Sequence, residues 1–138
     1  GYNVSGQDFS ERMIELAKEK MPKASLYKGD FREGIVVDLR AKKYDFITAT
    51  YSLHHLTDKE KVGFVNTLFN LLKDDGKIII GDVAFETKDE LIRCKIDCGD
   101  EWDDEEHYFI YDEISKLFPF KTSFEKISYC AGIIRINK

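Results

Sequence analysis

Strand-like and helix-like segments alternate along this sequence, and that alternation restricts it to a mostly parallel sheet packed against helices. The clearest strand spans residues 77–83, with Ile78, Ile79 and Ile80 at its centre. A helix precedes it. Thr57 and Glu60 form a capping box, each able to satisfy the other's backbone N–H. Val62, Val65, Leu68, Phe69 and Leu72 then share one helical face. Asp74, Asp75 and Gly76 make the turn between helix and strand.

The remaining segments extend the pattern. Residues 2–8 read as a short strand, after which Ser10 caps a helix with a buried stripe of Met13, Ile14, Ala17 and Met21. Pro22 stops that helix. Residues 24–28 are a second strand, and residues 31–43 are irregular. Tyr44–Thr50 is a third strand, with Phe46, Ile47 and Ala49 as in a sheet covered on both faces. Residues 87–97 suit a helix, and Asp112 is placed to cap another that carries Ile114, Leu117 and Phe118. Two strands, 120–129 and 131–137, close the chain. The turn near Cys130 is too short for a parallel crossover, so this last pair is antiparallel. With no repeat and no linker, residues 1–138 read as one doubly wound α/β domain.

Composition narrows the partners. The net charge is -5 and the lysines are mixed with acids, which argues against a nucleic-acid partner. No apolar run approaches the ~18 residues of a membrane helix, and residues 1–10 lack the character of a signal peptide. Three cysteines, Cys94, Cys98 and Cys130, fit a reducing cytoplasm better than a disulfide framework. The chain opens with Gly1 and runs at once into a strand pattern, the expectation for a truncated or processed chain. Oligomeric state is not legible.

In a doubly wound sheet, ligands bind beyond the carboxyl ends of the strands. Asp8 ends the first strand, Asp30 follows the second, Tyr51, Ser52, His54 and His55 follow the third, and Asp82 ends the fourth. Asp8 is suited to accept hydrogen bonds from both ribose hydroxyls of a nucleoside, or else to start the helix after it. Asp30 can accept from an exocyclic amine of adenine with Phe31 against the base, or it is simply a turn residue. Met13 either touches the base or belongs to the core.

Four runs in order resemble the class I S-adenosylmethionine-dependent methyltransferases, chiefly small bacterial members. Val4-Ser5-Gly6-Gln7-Asp8-Phe9-Ser10 resembles their second strand and the start of its helix. Lys28-Gly29-Asp30-Phe31 resembles their adenine-contacting turn. Tyr44-Asp45-Phe46-Ile47, leading into Tyr51-Ser52-Leu53-His54-His55-Leu56, resembles their fourth strand and its loop. Residues 71–80 resemble the helix end, turn and fifth strand that follow. The resemblance implies a Rossmann-like sheet of order 3-2-1-4-5-7-6. It implies S-adenosylmethionine as cofactor, held by Asp8, Phe9, Met13, Gly29, Asp30, Phe31, Thr50 and Tyr51. It also implies a central first strand followed by a glycine-rich loop, which this sequence lacks: Gly6, Gly29, Gly34, Gly63 and Gly76 are all isolated. The expectation is a methyltransferase domain without its N-terminal strand and loop, inactive alone and complete only with a further segment.

Methyl transfer from a sulfonium requires alignment of acceptor and methyl group, and a base where the acceptor carries a proton. His54 and His55 are the candidate catalytic residues, with a suitable side-chain chemistry, although either could cap or pack the loop. His55, Trp102, Tyr108 and Tyr111 are expected around a small-molecule acceptor, with Tyr51 as a further wall and His107 in the same lid region. The acidic run 103–106 suits a cationic acceptor or a solvated loop. No Cys-x-x-Cys or His-x-x-x-His spacing is present, so no metal is expected. The rival reading is a non-catalytic module that binds a nucleoside or a partner. A nicotinamide-dependent oxidoreductase fits the His-His loop and the short final turn poorly.

Overall fold

Ser10 starts the first helix as its position in the sequence suggests. Its Oγ accepts a hydrogen bond from the Met13 N–H at 3.3 Å. The computed structural model describes residues 1–138 and divides them into two units, Gly1–Lys43 and Tyr44–Lys138. In the first unit, β1 (Ser5–Asp8) and β2 (Ser25–Lys28) pair in parallel, with α1 (Glu11–Lys20) as the crossover. The helix ends ahead of Pro22. The irregular stretch holds a 3-10 turn, Phe31–Glu33, and a single helical turn, α2 (Val37–Arg40). The apolar stripe of α1 is narrower than expected. Ile14 is buried, whereas Met13 is 53% exposed and Met21 is also exposed. Two strands of four residues each are too narrow a sheet to cover the full face.

The second unit is built on β3 (Tyr44–Thr50), α3 (Asp58–Asn70), β4 (Leu72–Phe85), α4 (Lys88–Cys98), β5 (Phe109–Ile110), α5 (Tyr111–Ile114), β6 (Thr122–Lys126) and β7 (Ala131–Asn137). Its sheet has the order β3-β4-β7-β6, with β5 paired to the end of β4. β3 and β5 run parallel to β4, and β7 runs antiparallel to both β4 and β6. The antiparallel last pair is therefore borne out. β5 has no counterpart in the sequence reading, because two residues carry no periodicity.

β4 is the spine of this unit. Ile78, Ile80 and Ala84 are buried at alternate positions, and Ile134 and Ile136 repeat the pattern on β7. Over them pack Val65 and Leu68 of α3, Leu53 and Leu56 of the loop after β3, and Phe109 and Ile114 are enclosed in the same core. The capping box of α3 forms as expected. Thr57 N–H donates to Glu60 Oε2 at 2.8 Å, and Glu60 N–H donates to Thr57 Oγ1 at 3.4 Å. The buried face of this helix is Lys61, Phe64, Val65 and Leu68, with Val62 and Phe69 flanking it. Leu72 has left the helix and pairs with Tyr44, and the register then jumps to Lys77 against Phe46 across the Asp74–Gly76 turn.

Two expectations change. β3 is not covered on both faces: Phe46 is 58% exposed, because β3 pairs with β4 alone and is the edge of its sheet. Asp112 does not cap α5. It lies within the helix, Ile110 holds the cap position without a side-chain bond, and Leu117 falls beyond the helix and is exposed. No helix is long and apolar enough to cross a membrane.

Candidate functional site

In the first unit the parallel pairing of β1 and β2 sets Asp8 opposite Lys28, so Asp8 and the Gly29-Asp30 turn leave adjacent strands at the same end. The Gly29 N–H donates to the Asp8 carbonyl at 2.9 Å. Gly29 is required there: a Cβ would come within 2.6 Å of Val36 Cγ1 and 3.0 Å of the Gln7 amide. That amide secures the following loop, donating to Gly34 O and accepting from Val36 N–H, both at 2.9 Å. Asp8 Oδ1 accepts from Ser10 N–H at 2.8 Å, which fixes the side chain. Both carboxylate oxygens of Asp30 face Arg32, the closest contact being 2.6 Å from Nη2 to Oδ2. Phe9 and Met13, beside Asp8 in sequence, are 61% and 53% exposed.

In the second unit a buried carboxylate organises the loop after β3. Asp82 is 1% exposed, because it follows Ile78 and Ile80 in the two-residue repeat of β4 and therefore points inward. A carboxylate placed there has to be hydrogen-bonded. Oδ2 accepts from Ser52 N–H at 3.2 Å and Leu53 N–H at 3.0 Å. Oδ1 lies 2.6 Å from His54 Nδ1 and accepts from Val83 N–H at 2.8 Å. The loop enters this arrangement through Tyr51, which has a φ of 47° and whose N–H donates to Gly81 O at 2.9 Å. A left-handed backbone at a tyrosine is uncommon, and such positions concentrate at functional sites. Thr50 ends β3 opposite Gly81.

The segment between α4 and β5 closes over the same histidines. His107 N–H donates to His54 O at 2.7 Å. Glu106 Oε2 is 3.3 Å from His54 Nε2, and its Oε1 is 3.2 Å from His55 Nδ1. The Lys61 ammonium, fully enclosed, donates to the His107 carbonyl, pairs with Asp58 at 3.1 Å and sits 4.5 Å from the centre of the Phe109 ring. Burial pushes this lysine below its ordinary pKa, partly offset by Asp58.

Of the expected pocket residues, His55, Trp102 and Tyr108 come together, beside the candidate catalytic residue His54. The Trp102 and Tyr108 rings meet edge to face at 4.8 Å, Tyr108 lies 6.3 Å from His54, and the two imidazoles are 4.3 Å apart. Burial, then the Glu106 and Asp103 carboxylates, raise the Tyr108 hydroxyl above its ordinary pKa. Tyr111 turns elsewhere, stacking on Phe124 at 5.2 Å and donating to Thr122 O at 2.9 Å.

Two residues of this cluster, Asp82 and Glu106, have no individual role in the sequence reading, which places Asp82 only at a strand end and Glu106 only in the acidic run 103–106. For Asp82 a signal existed, since an acid in phase with Ile78, Ile80 and Ala84 must be buried. Glu106 sits in a run of acids whose other members are exposed, and nothing local distinguishes it.

The sequence profile described as "methyltransferase domain" matches residues 1–78. An uncharacterized methyltransferase of Oceanobacillus iheyensis is 37% identical over 89 residues, covering 64% of this chain and 40% of the relative. One from Bacillus pumilus is 30% identical over 135 residues, covering 87% of this chain and 63% of the relative. The chain thus spans roughly half the length of these curated relatives. Among solved structures, the magnesium protoporphyrin IX methyltransferase of Synechocystis, with bound SAH, superposes with a TM-score of 0.70 at 18% identity, covering 100% of this chain and 65% of that one.

Proposed function

This chain belongs to the methyltransferase domain family, and on that premise we propose that it serves S-adenosylmethionine-dependent methyl transfer to a small-molecule acceptor in the cytoplasm. The observation that carries this reading is the pair of strand ends in the first unit. Asp8 and Gly29-Asp30 leave parallel neighbours side by side, next to an uncovered Phe9 and Met13. Asp8 Oδ1 is braced by Ser10, and Oδ2 makes no bond within the unit, an arrangement suited to ribose hydroxyls. Asp30 and Phe31 would then receive the adenine. The bound cofactor supplies an activated methyl group on sulfur.

The reaction breaks the sulfur–methyl bond and forms a bond from methyl to the acceptor, and where the acceptor carries a proton His54 or His55 is the proposed base that takes it. The residues of the second unit fit the acceptor side. Asp82 holds Nδ1 of His54, so the imidazole keeps one orientation and turns Nε2 outward from β4. His55, Trp102 and Tyr108 stand around it, with Tyr111 a more distant candidate.

The family's first strand and glycine-rich loop are the proposed missing part. β1 pairs only with β2, and β3 only with β4, so β1 and β3 each have an unpaired edge. Open edges leave backbone groups without partners. The 138-residue chain alone is therefore expected to bind S-adenosylmethionine weakly and to be inactive. The test is a methyl-transfer assay of the protein with its upstream coding sequence restored, against a panel of metabolites. Turnover of one acceptor supports the reading. Nucleoside binding without any turnover favours the non-catalytic alternative.

A further inference from the structure

His54, His55 and Glu106 bring one donor atom each to within 4.8 Å of one another, all inside the second unit. Asp82 Oδ1 lies 2.6 Å from Nδ1 of His54, and the other ring nitrogen, Nε2, faces Glu106 Oε2 at 3.3 Å. Glu106 Oε2 is also one of only two buried side-chain oxygens that take no hydrogen bond from any protein atom, and the other, Ser52 Oγ, belongs to the loop that Asp82 holds. The nearby Lys61 ammonium does not fill the gap, since its partners are Asp58 and the His107 carbonyl.

We propose that His54 Nε2, His55 Nδ1 and the Glu106 carboxylate form a three-ligand site for a divalent transition-metal ion of the zinc class. A tetrahedral ion with bonds of about 2.0–2.1 Å keeps its ligand atoms about 3.3 Å apart. The two contacts to Glu106, 3.3 and 3.2 Å, have that spacing but run to different carboxylate oxygens, so the three donor atoms, within 4.8 Å of one another, must close up slightly around an ion, and His55 is half exposed. Two imidazoles and a carboxylate suit zinc, cobalt or iron rather than magnesium or calcium. Asp82 acts as the outer partner that fixes the tautomer and orientation of a ligating histidine. Three protein ligands leave a position open, as in catalytic rather than structural zinc sites. Spacing along the sequence could not reveal the site, because Glu106 reaches it from a distant segment.

The site stands on this geometry and not on the methyltransferase reading, and its test reads metal binding alone. One lone pair on His54 cannot both hold a metal and take a proton, so an occupied site would exclude His54 as the base. The 138-residue chain, stripped with a chelator, is titrated with Co²⁺ and then Zn²⁺. The expected result is one Co²⁺ per chain, with the visible absorption of a low-coordinate site, displaced by Zn²⁺. His55→Ala and Glu106→Gln should each weaken binding about ten-fold or more, and Cys98→Ser should leave it unchanged. Circular dichroism checks each variant, and half-exposed His55 can be replaced without opening the core. No saturable binding, or binding that survives both substitutions, overturns the proposal. So does binding lost with Cys98→Ser, which would assign the metal to the Cys94–Cys98 thiols 3.9 Å apart.

Discussion

Oδ1 of Asp82 lies 2.6 Å from Nδ1 of His54, tying β4 to the loop after β3. The same carboxylate takes the Ser52 and Leu53 N–H groups, so one buried acid sets the course of the loop and the orientation of its histidine. Every role considered for His54, whether base, loop residue or metal ligand, depends on that contact.

Asp82→Asn should therefore cost stability. The amide keeps the shape but turns donors toward backbone donors, and an unsatisfied buried group costs about 1–3 kcal/mol. The urea midpoint should fall with an unchanged m-value. An unchanged midpoint would show that Asp82 is not the organiser.

Lys61 gives a pH dependence of known sign. Its pKa is lowered in the folded chain by burial, so just below its ordinary 10.5 the unfolded chain holds more protons. Stability from this group thus rises as pH climbs through the window between the lowered value and 10.5, and its cost is fully present at lower pH. Lys61→Met should lack that rise. Urea unfolding of both proteins from neutral pH toward 10.5 measures the difference, and parallel curves would contradict it.

Gly132 leaves room for an aromatic ring. A Cβ there would lie 2.3 Å from Phe124 Cε2 and 2.5 Å from Cζ, and that ring is stacked on Tyr111. Gly132→Ala should destabilise by about 1–3 kcal/mol through overpacking. Gly132→Ala combined with Phe124→Leu should recover part of the loss in thermal unfolding.

The thiols should react unequally. Cys94 is buried, and burial followed by its contact with Cys98 pushes its pKa up to about 11. Cys98 and Cys130 are exposed. A thiol reagent under native conditions should label these two first and Cys94 only on unfolding. Rapid labelling of all three would show that the face of α4 carrying Cys94 is not buried.

The parts of the fold that could be read from the sequence are those with local causes. β3 has the bounds that its composition suggests, the capping box of α3 forms, and the short turn at Cys130 makes the last strands antiparallel. Contacts that depend on tertiary structure could not be read. Met13 has helical spacing but no sheet wide enough to bury it. Glu106 looks like part of a solvated acidic loop until the His107 N–H is seen bonded to His54. Asp82 was readable, as an acid in phase with buried isoleucines, although only the structure shows what it holds.

The central claim is that this family member places a nucleoside against Asp8. It is tested most directly by calorimetric titration of S-adenosylmethionine into the protein with its upstream segment restored, and into the same protein carrying Asp8→Ala. The expected result is saturable binding that the substitution weakens by roughly 1.5–3 kcal/mol, the worth of hydrogen bonds to a charged group, with little binding to the 138-residue chain. Equal affinity with and without Asp8, or tight binding by the 138-residue chain, would contradict it.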